Sequence, residues 1–187
     1  MRKIVLALAL APGLVRGGET YPIADVPPAL APAVEKAEAA IGSLLQRLSG
    51  RLLAELRQGG PARALAVCRE EAPGLTAQAA GDSGVKLGRT SHRLRNPENR
   101  APAWAEALVA AAAGKKASEV GTTVVDLGDG VGVLRPIGTL PPCTQCHGAA
   151  DRLAPGIAGL LREAYPQDRA VGFAEGDLRG FFWAEVR

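Results

Sequence analysis

Residues 143 to 147 of this chain read Cys-Thr-Gln-Cys-His, and no other stretch leaves the fold so little freedom. Two thiols at this spacing, followed at once by a histidine, are placed to add across the vinyl groups of haem while the imidazole binds the iron. A chain that uses the motif so must fold around a flat, largely apolar cofactor. The low aromatic content, 4%, fits, because the core lacks the large flat side chains that usually fill a domain of 187 residues and a planar cofactor would supply that volume. Three other uses of the motif are open to the residues: a Cys143–Cys146 disulfide, a thioredoxin-like redox pair, or part of a zinc site. A redox pair should open a helix inside a βαβ unit, yet Pro141-Pro142 precedes this one and no parallel crossover surrounds it. Zinc needs four ligands, and outside the motif only Cys68 and His92 offer soft donors.

The cysteine count points the same way. Cys68, Cys143 and Cys146 are too few for a disulfide-stapled scaffold. The N-terminus nevertheless reads as a secretion signal over roughly residues 1–18: Arg2 and Lys3, an apolar run from Ile4 to Val15, then Gly17 and Gly18. The chain is therefore expected in the periplasm or otherwise exported, which is where haem of this kind is attached. The signal also carries three of the 22 Lys and Arg residues, so the rest of the chain holds nineteen basic against nineteen acidic side chains. That balance removes the electrostatic basis for nucleic-acid binding. The apolar run is about twelve residues long where a membrane span needs roughly twenty, so no integral span is expected in the mature chain.

Periodicity gives an α+β domain. From Pro27 to about Gln58, Val34, Ala37, Ile41, Leu44, Leu45, Leu48, Leu52, Leu53 and Leu56 recur at spacings of three and four, which predicts a long amphipathic helix. Gly59-Gly60 ends it and Pro61 opens a second helix carrying Ala64, Leu65, Val67 and Cys68, stopping before Pro73. An Ala-rich segment continues to about Ala80, and residues 81–84 form a loop. A strand over Val85–Leu94, a helix over Ala103–Ala113, and a hairpin of Thr122–Leu127 with Val131–Ile137 come next. A helix over Gly156–Ala164 and a last strand over Arg179–Val186 complete a single domain, 29–187, with a small meandering sheet behind long helices. Residues 19–28 are expected as an unstructured lead-in. The long front helix also offers a face for pairing with a second copy of the chain.

With His147 as proximal ligand, the second axial position is open among four choices. Methionine, the common distal ligand of small cytochromes, is absent apart from Met1. Cys68, His92, a lysine or an open site remain; Cys68 on its apolar helical face could equally be a buried inert thiol, and His92 a solvated strand residue. Arg89 and Arg95 are candidate partners for the haem propionates, with solvated strand charge as the alternative.

Several stretches resemble the PAS-like c-type haem family, first catalogued as a domain of unknown function and found alone or as the periplasmic sensor part of bacterial signalling proteins. They are Ala66-Val67-Cys68 with Ala72-Pro73, Leu87-Gly88-Arg89-Thr90-Ser91, Leu94 to Asn99 with Trp104, Cys143 to Gly148, Tyr165 to Phe173, and Gly176 to Gly180. The resemblance implies a PAS-like antiparallel sheet preceded by long helices. It also implies that Cys68 completes the iron coordination opposite His147, while giving His92 no such role. No transmembrane segment or signalling domain is expected after Arg187, a departure from the membrane-sensor members.

The expectation is an exported monohaem c-type cytochrome, not an enzyme, acting in redox or small-ligand sensing through a His147/Cys68-ligated haem. The alternative is periplasmic electron transfer with a permanently six-coordinate haem. Its partner is then a redox protein or a small gaseous ligand. A thiolate ligand favours the ferric state, and proton uptake with the electron would make the potential fall by about 59 mV per pH unit. A peroxidase would need an open distal site with a proton-handling side chain, for which His92 is the available histidine.

Overall fold

The computed structural model describes residues 18–187, so the secretion signal read over 1–18 lies, but for Gly18, outside the described residues. Helix α1 spans Ala31–Ala66, but Gly60 leaves helical geometry at φ 72°, ψ −167°. A side chain at such a positive φ would be strained, and Pro61 directly after it has no amide hydrogen to continue the ladder. The chain therefore doubles back here. Ion pairs between Arg63 and Glu55 (2.7 Å), Arg51 and Glu71 (2.6 Å), and Arg47 and Asp82 (2.7 Å) cross-link the two arms in antiparallel order. This is the break read from Gly59-Gly60-Pro61.

The second arm does not stop before Pro73. Residues Val67–Glu71 form a π-helical turn in which the Ala72 amide donates to Val67 O, and helix α2 then runs over Ala72–Ser83 with Pro73 in its first turn. Proline is tolerated there because first-turn amides have no intrahelical partner. The wider turn absorbs what would otherwise be a break, and the residues expected as a loop at 81–84 mostly extend the helix.

The sheet has five antiparallel strands in the order β1-β3-β4-β5-β2: β1 Thr20–Pro22, β2 Lys86–Thr90, β3 Thr123–Asp126, β4 Val131–Gly138 and β5 Leu178–Val186. Strands β3, β4 and β5 form the expected meander, whereas β2 pairs with β5, Leu87 opposite Ala184. The lead-in is a correction: β1 pairs with β3, Tyr21 opposite Val124, and Tyr21 and Val26 pack on the core. A three-residue edge strand needs only the backbone groups of its neighbour and carries no side-chain alternation to read. Strand β2 is also shorter than Val85–Leu94, because Ser91 Oγ donates to Arg179 O at 2.7 Å and accepts from the Arg93 amide at 3.1 Å, turning the chain away.

Alternation along β5 divides the core. Phe182, Ala184 and Val186 face α1 and α2, packing with Ile41, Leu44, Leu87 and Val133. Phe181 and Trp183 face the other way, onto helix α3 (Ala103–Ala111), with Leu134, Ala105 and Val109. Two short helices lie in the connection before β5: α4, Thr144–His147, and α5, Ile157–Ala164. Among the described residues no helix is long and apolar enough to cross a membrane.

Candidate functional site

Helix α4 is a single turn, too short to hold itself together. Its shape is imposed by capture of the carbonyls that such a helix leaves unpaired. Thr144 O accepts from the Gly148 amide at 2.8 Å, Gln145 O from the Ala154 amide at 2.9 Å, and His147 O from the Phe173 amide at 2.9 Å. Cys146 O accepts from Arg95 Nη2 at 2.6 Å. Gly148 is required at this bend, since a β-carbon there would lie 2.5 Å from Thr144 O. Beyond its own Thr144–Gly148 bond, the Cys-Thr-Gln-Cys-His segment is thus fixed from three directions.

Arg95 is the centre of that fixation. It is buried, donating through Nε to Asp168 Oδ2 at 3.0 Å and through Nη2 to Cys146 O and, at 3.2 Å, Ala170 O. Asp168 in turn accepts from the Ala170 amide at 2.8 Å. With Nε and Nη2 committed to protein acceptors, Nη1 is the part of Arg95 left for a ligand carboxylate.

His147 Nδ1 lies 2.7 Å from Ala170 O. A proton on Nδ1 satisfies that carbonyl and leaves Nε2 as a lone pair, the arrangement a metal-ligating imidazole requires. Burial first, then the charges of Arg179 and Arg95, push the ring's pKa well below that of free histidine, so it is neutral at physiological pH.

His147 faces a cavity of about 330 Å³ whose wall also includes Cys68 and Cys143. The opposite wall is the first arm of the hairpin: Leu45, Leu48, Leu52, Leu53 and Leu56, with Val67 and Ala64 from the second arm. Leu140 and Phe182 contribute from the sheet side. Leu45, Leu53 and Leu140 are 37%, 40% and 64% exposed, so three of the five exposed large apolar side chains among the described residues gather at this one opening. Cys146 sits just beyond the cavity wall in a small cluster with Leu65, Ile157 and Leu161, and burial raises its thiol to about 11. Burial likewise pushes the Cys68 thiol up, against the pull of Arg89, Arg95 and Arg179.

Those three guanidinium groups all line the cavity. Asp168 neutralises Arg95. Arg89 and Arg179 have no carboxylate in ion-pairing distance among the described residues, and burial lowers the pKa of both, Arg179 to about 10. Half-buried cations without a partner are costly unless an anion completes them. An apolar cavity with uncompensated cations, an imidazole and the Cys68 and Cys143 thiols on its walls, and Cys146 just behind them, fits a flat apolar ligand bearing carboxylates, bonded through sulfur and ligated through nitrogen. Haem has that donor requirement.

Of the residues singled out in the sequence, the fold brings together Cys68, Arg89, Arg95, Cys143 and His147 at the cavity, with Cys146 behind it. His92 is not among the lining residues; its ring stands edge-on to Phe173, centroids 5.8 Å apart, with Nδ1 buried and unpartnered. Arg179 went unassigned in the sequence, where it opens a strand like any solvated arginine. In the fold it falls at the register shift between β4 and β5, where it has no strand partner, and it lines the cavity.

A family model described as Tll0287-like matches residues 29–186. No curated protein matches the chain. Among solved structures, the crystal structure of the cyanobacterial heme-protein Tll0287 is similar at a TM-score of 0.60 and 20% sequence identity, over 86% of this chain and 96% of that one. At that identity the likeness establishes the α+β fold, with its long N-terminal helix and antiparallel sheet.

Proposed function

This chain belongs to the Tll0287-like family, and we propose that it is an exported haem protein in which Cys143 and Cys146 anchor one haem c covalently and His147 and Cys68 are the axial ligands. The observation that carries the reading is the convergence of Cys68, Cys143 and His147 on one leucine-walled cavity holding two unpaired guanidinium groups. That Tll0287 is a heme-protein adds support. Export rests on the N-terminal pattern of charge, apolar run and small residues.

When bound, haem supplies an iron centre that exchanges one electron and, at an open coordination position, takes a small gaseous ligand. The chain's own part is positional. Ala170 O holds the Nδ1 proton of His147 and so presents Nε2, the captured carbonyls of α4 keep the two thiols at fixed spacing, and the α1 leucines exclude water. Arg89, with Nη1 of Arg95, supplies charge for the propionates.

We read the use as redox or small-ligand sensing. Its support is the seat of Cys68: it lies in a π-helical turn, between the Gly60 reversal and α2, where a change of local helical register would withdraw the thiol without disturbing the sheet. Permanent coordination, the electron-transfer reading, is the alternative. No catalytic role is proposed for His92.

Low-temperature electron paramagnetic resonance of the ferric protein, made in a host with c-type haem maturation, tests the ligand set. A low-spin thiolate signature that vanishes in Cys68→Ala is expected; a high-spin signal would remove Cys68 as ligand. Carbon monoxide titration of the reduced protein then separates the two uses, rapid stoichiometric binding excluding a closed site.

A further inference from the structure

One nitrogen of His147 faces two incompatible partners. Nδ1 lies 2.7 Å from Ala170 O and 3.2 Å from Arg179 Nε. A carbonyl only accepts and a guanidinium only donates. An imidazole nitrogen has one in-plane position for either a proton or a lone pair, so it serves one neighbour at a time. With the proton on Nδ1, Ala170 is satisfied, Nε2 is free to bind metal, and Arg179 is left as a bare charge beside the ring. With the lone pair on Nδ1, Arg179 is satisfied, the proton sits on Nε2, and the ring cannot ligate.

The usual outer partner of a metal-bound histidine is a carbonyl or carboxylate, which draws on the Nδ1 proton and makes the ring a stronger donor. A guanidinium does the reverse. Protein charge offsets it only in part: Arg179 is half-buried, its neighbours Arg89 and Arg95 carry the same sign, and Asp168, the carboxylate that acts on it, is already bonded to Arg95. Its one further side-chain hydrogen bond among the described residues, Nη1 to Arg93 O at 3.5 Å, is long. Partial exclusion from solvent weakens the screening of such a charge by salt.

We infer that Arg179 sets the donor strength of His147: its guanidinium, held beside Nδ1, weakens the imidazole as a ligand and raises the reduction potential above what the His147/Cys68 pair would give alone. The inference rests on the haem reading proposed above. It gives the cavity two opposed electrostatic influences, a thiolate that favours ferric iron on one side and a positive charge that favours ferrous iron on the other. Arg179 is a positioning residue in this scheme, acting through His147.

The test compares the haem-loaded protein with Arg179→Gln by spectroelectrochemistry. The Gln variant is expected to have a lower midpoint potential while keeping the ferric ligand signature of the parent. The same substitution in a Cys68→Ala background, where reduced iron has His147 as its one protein ligand, should raise the iron–histidine stretching frequency in the resonance Raman spectrum. Loss of a structural contact alone would not strengthen that bond. An unchanged potential overturns the inference, and so does a lowered potential with an unmoved stretch, because the charge would then act on the haem and not through His147. If Arg179→Gln does not fold, Arg179→Met offers a neutral side chain of similar length for both measurements. Parent protein that shows no covalent haem on a denaturing gel overturns the haem reading itself, before any potential is measured.

Discussion

The first arm of the hairpin serves two different surfaces with one sequence pattern. Val34, Ala37, Ala40, Ile41, Leu44 and Leu48 are buried in the core with β4 and β5, Ile41 and Leu44 completely. From Leu45 to Leu56 leucines at the same helical spacing face the cavity, and two of them are more than a third exposed. The surroundings differ as sharply. Val124, Val133 and Ala184 meet the Val34–Leu48 stretch, where Arg135 of β4 is paired with Glu38 at 3.5 Å, whereas the cavity-facing leucines share their cavity with Arg89 and Arg179, which no carboxylate of the described residues pairs. The sheet core is complete as protein, and its contacts stabilise the fold outright. The cavity wall carries exposed leucine and half-buried cation together, an arrangement that costs stability until a ligand apolar in its body and anionic at its edge fills it.

The sharpest way to break that comparison is to remove the anchor. Cys143→Ser with Cys146→Ser should abolish covalent haem on a denaturing gel while leaving the far-ultraviolet circular dichroism of the sheet intact; loss of the fold would mean the two regions are one unit. Next in size is the closed core, where Ile41→Ala should cost about 2–5 kcal/mol in urea denaturation, since the cavity it leaves is fully enclosed.

Leu53→Ala should cost under ~1 kcal/mol in the haem-free protein and more in the loaded one, because its partner surface belongs to the ligand. Equal costs in both forms would show that Leu53 already has all its contacts. Hydrogen exchange sharpens the same point: loading should slow the amides of residues 45–56 and 61–71 and leave those of β4 and β5 unchanged.

The smallest effect concerns the hairpin's ion-pair clasp. Arg51, by hydrogen bond, and Arg63 hold the Glu55 carboxyl below its ordinary range, against the effect of burial. A carboxyl with a depressed folded-state pKa contributes stability that is present above the ordinary glutamate range and lost as pH falls through and below it. The urea midpoint of Glu55→Gln should therefore lie below that of the parent at pH 7 and approach it at pH 3. A constant difference would place the contribution in packing and not in charge.

Much of this was legible in the residues. The Gly59-Gly60-Pro61 break, the β3–β4 hairpin and the last strand arise from backbone rules that act within a few residues, and the Cys-Thr-Gln-Cys-His spacing is itself the geometry of its chemistry. Strand β1 was hidden because an edge strand borrows its order from its neighbour. The π turn was hidden because Pro73 usually ends a helix, and here a wider turn spares it.

Arg95 and Arg179 mark the boundary most clearly. Along the chain both are basic residues beside a strand, with nothing to tell a propionate partner from a solvated charge. In the fold Arg95 follows the Ser91 turn that ends β2, Arg179 sits beside that turn at the β4–β5 register shift, and both line the cavity. There Arg95 meets Asp168 and the carbonyl of Cys146, and Arg179 meets His147. The sequence by itself determined which atoms could bond and ligate a cofactor, because that chemistry resides in side chains and their local spacing. Which charges surround those atoms was decided by tertiary structure alone, because electrostatic influence depends on distance through space and on the exclusion of water.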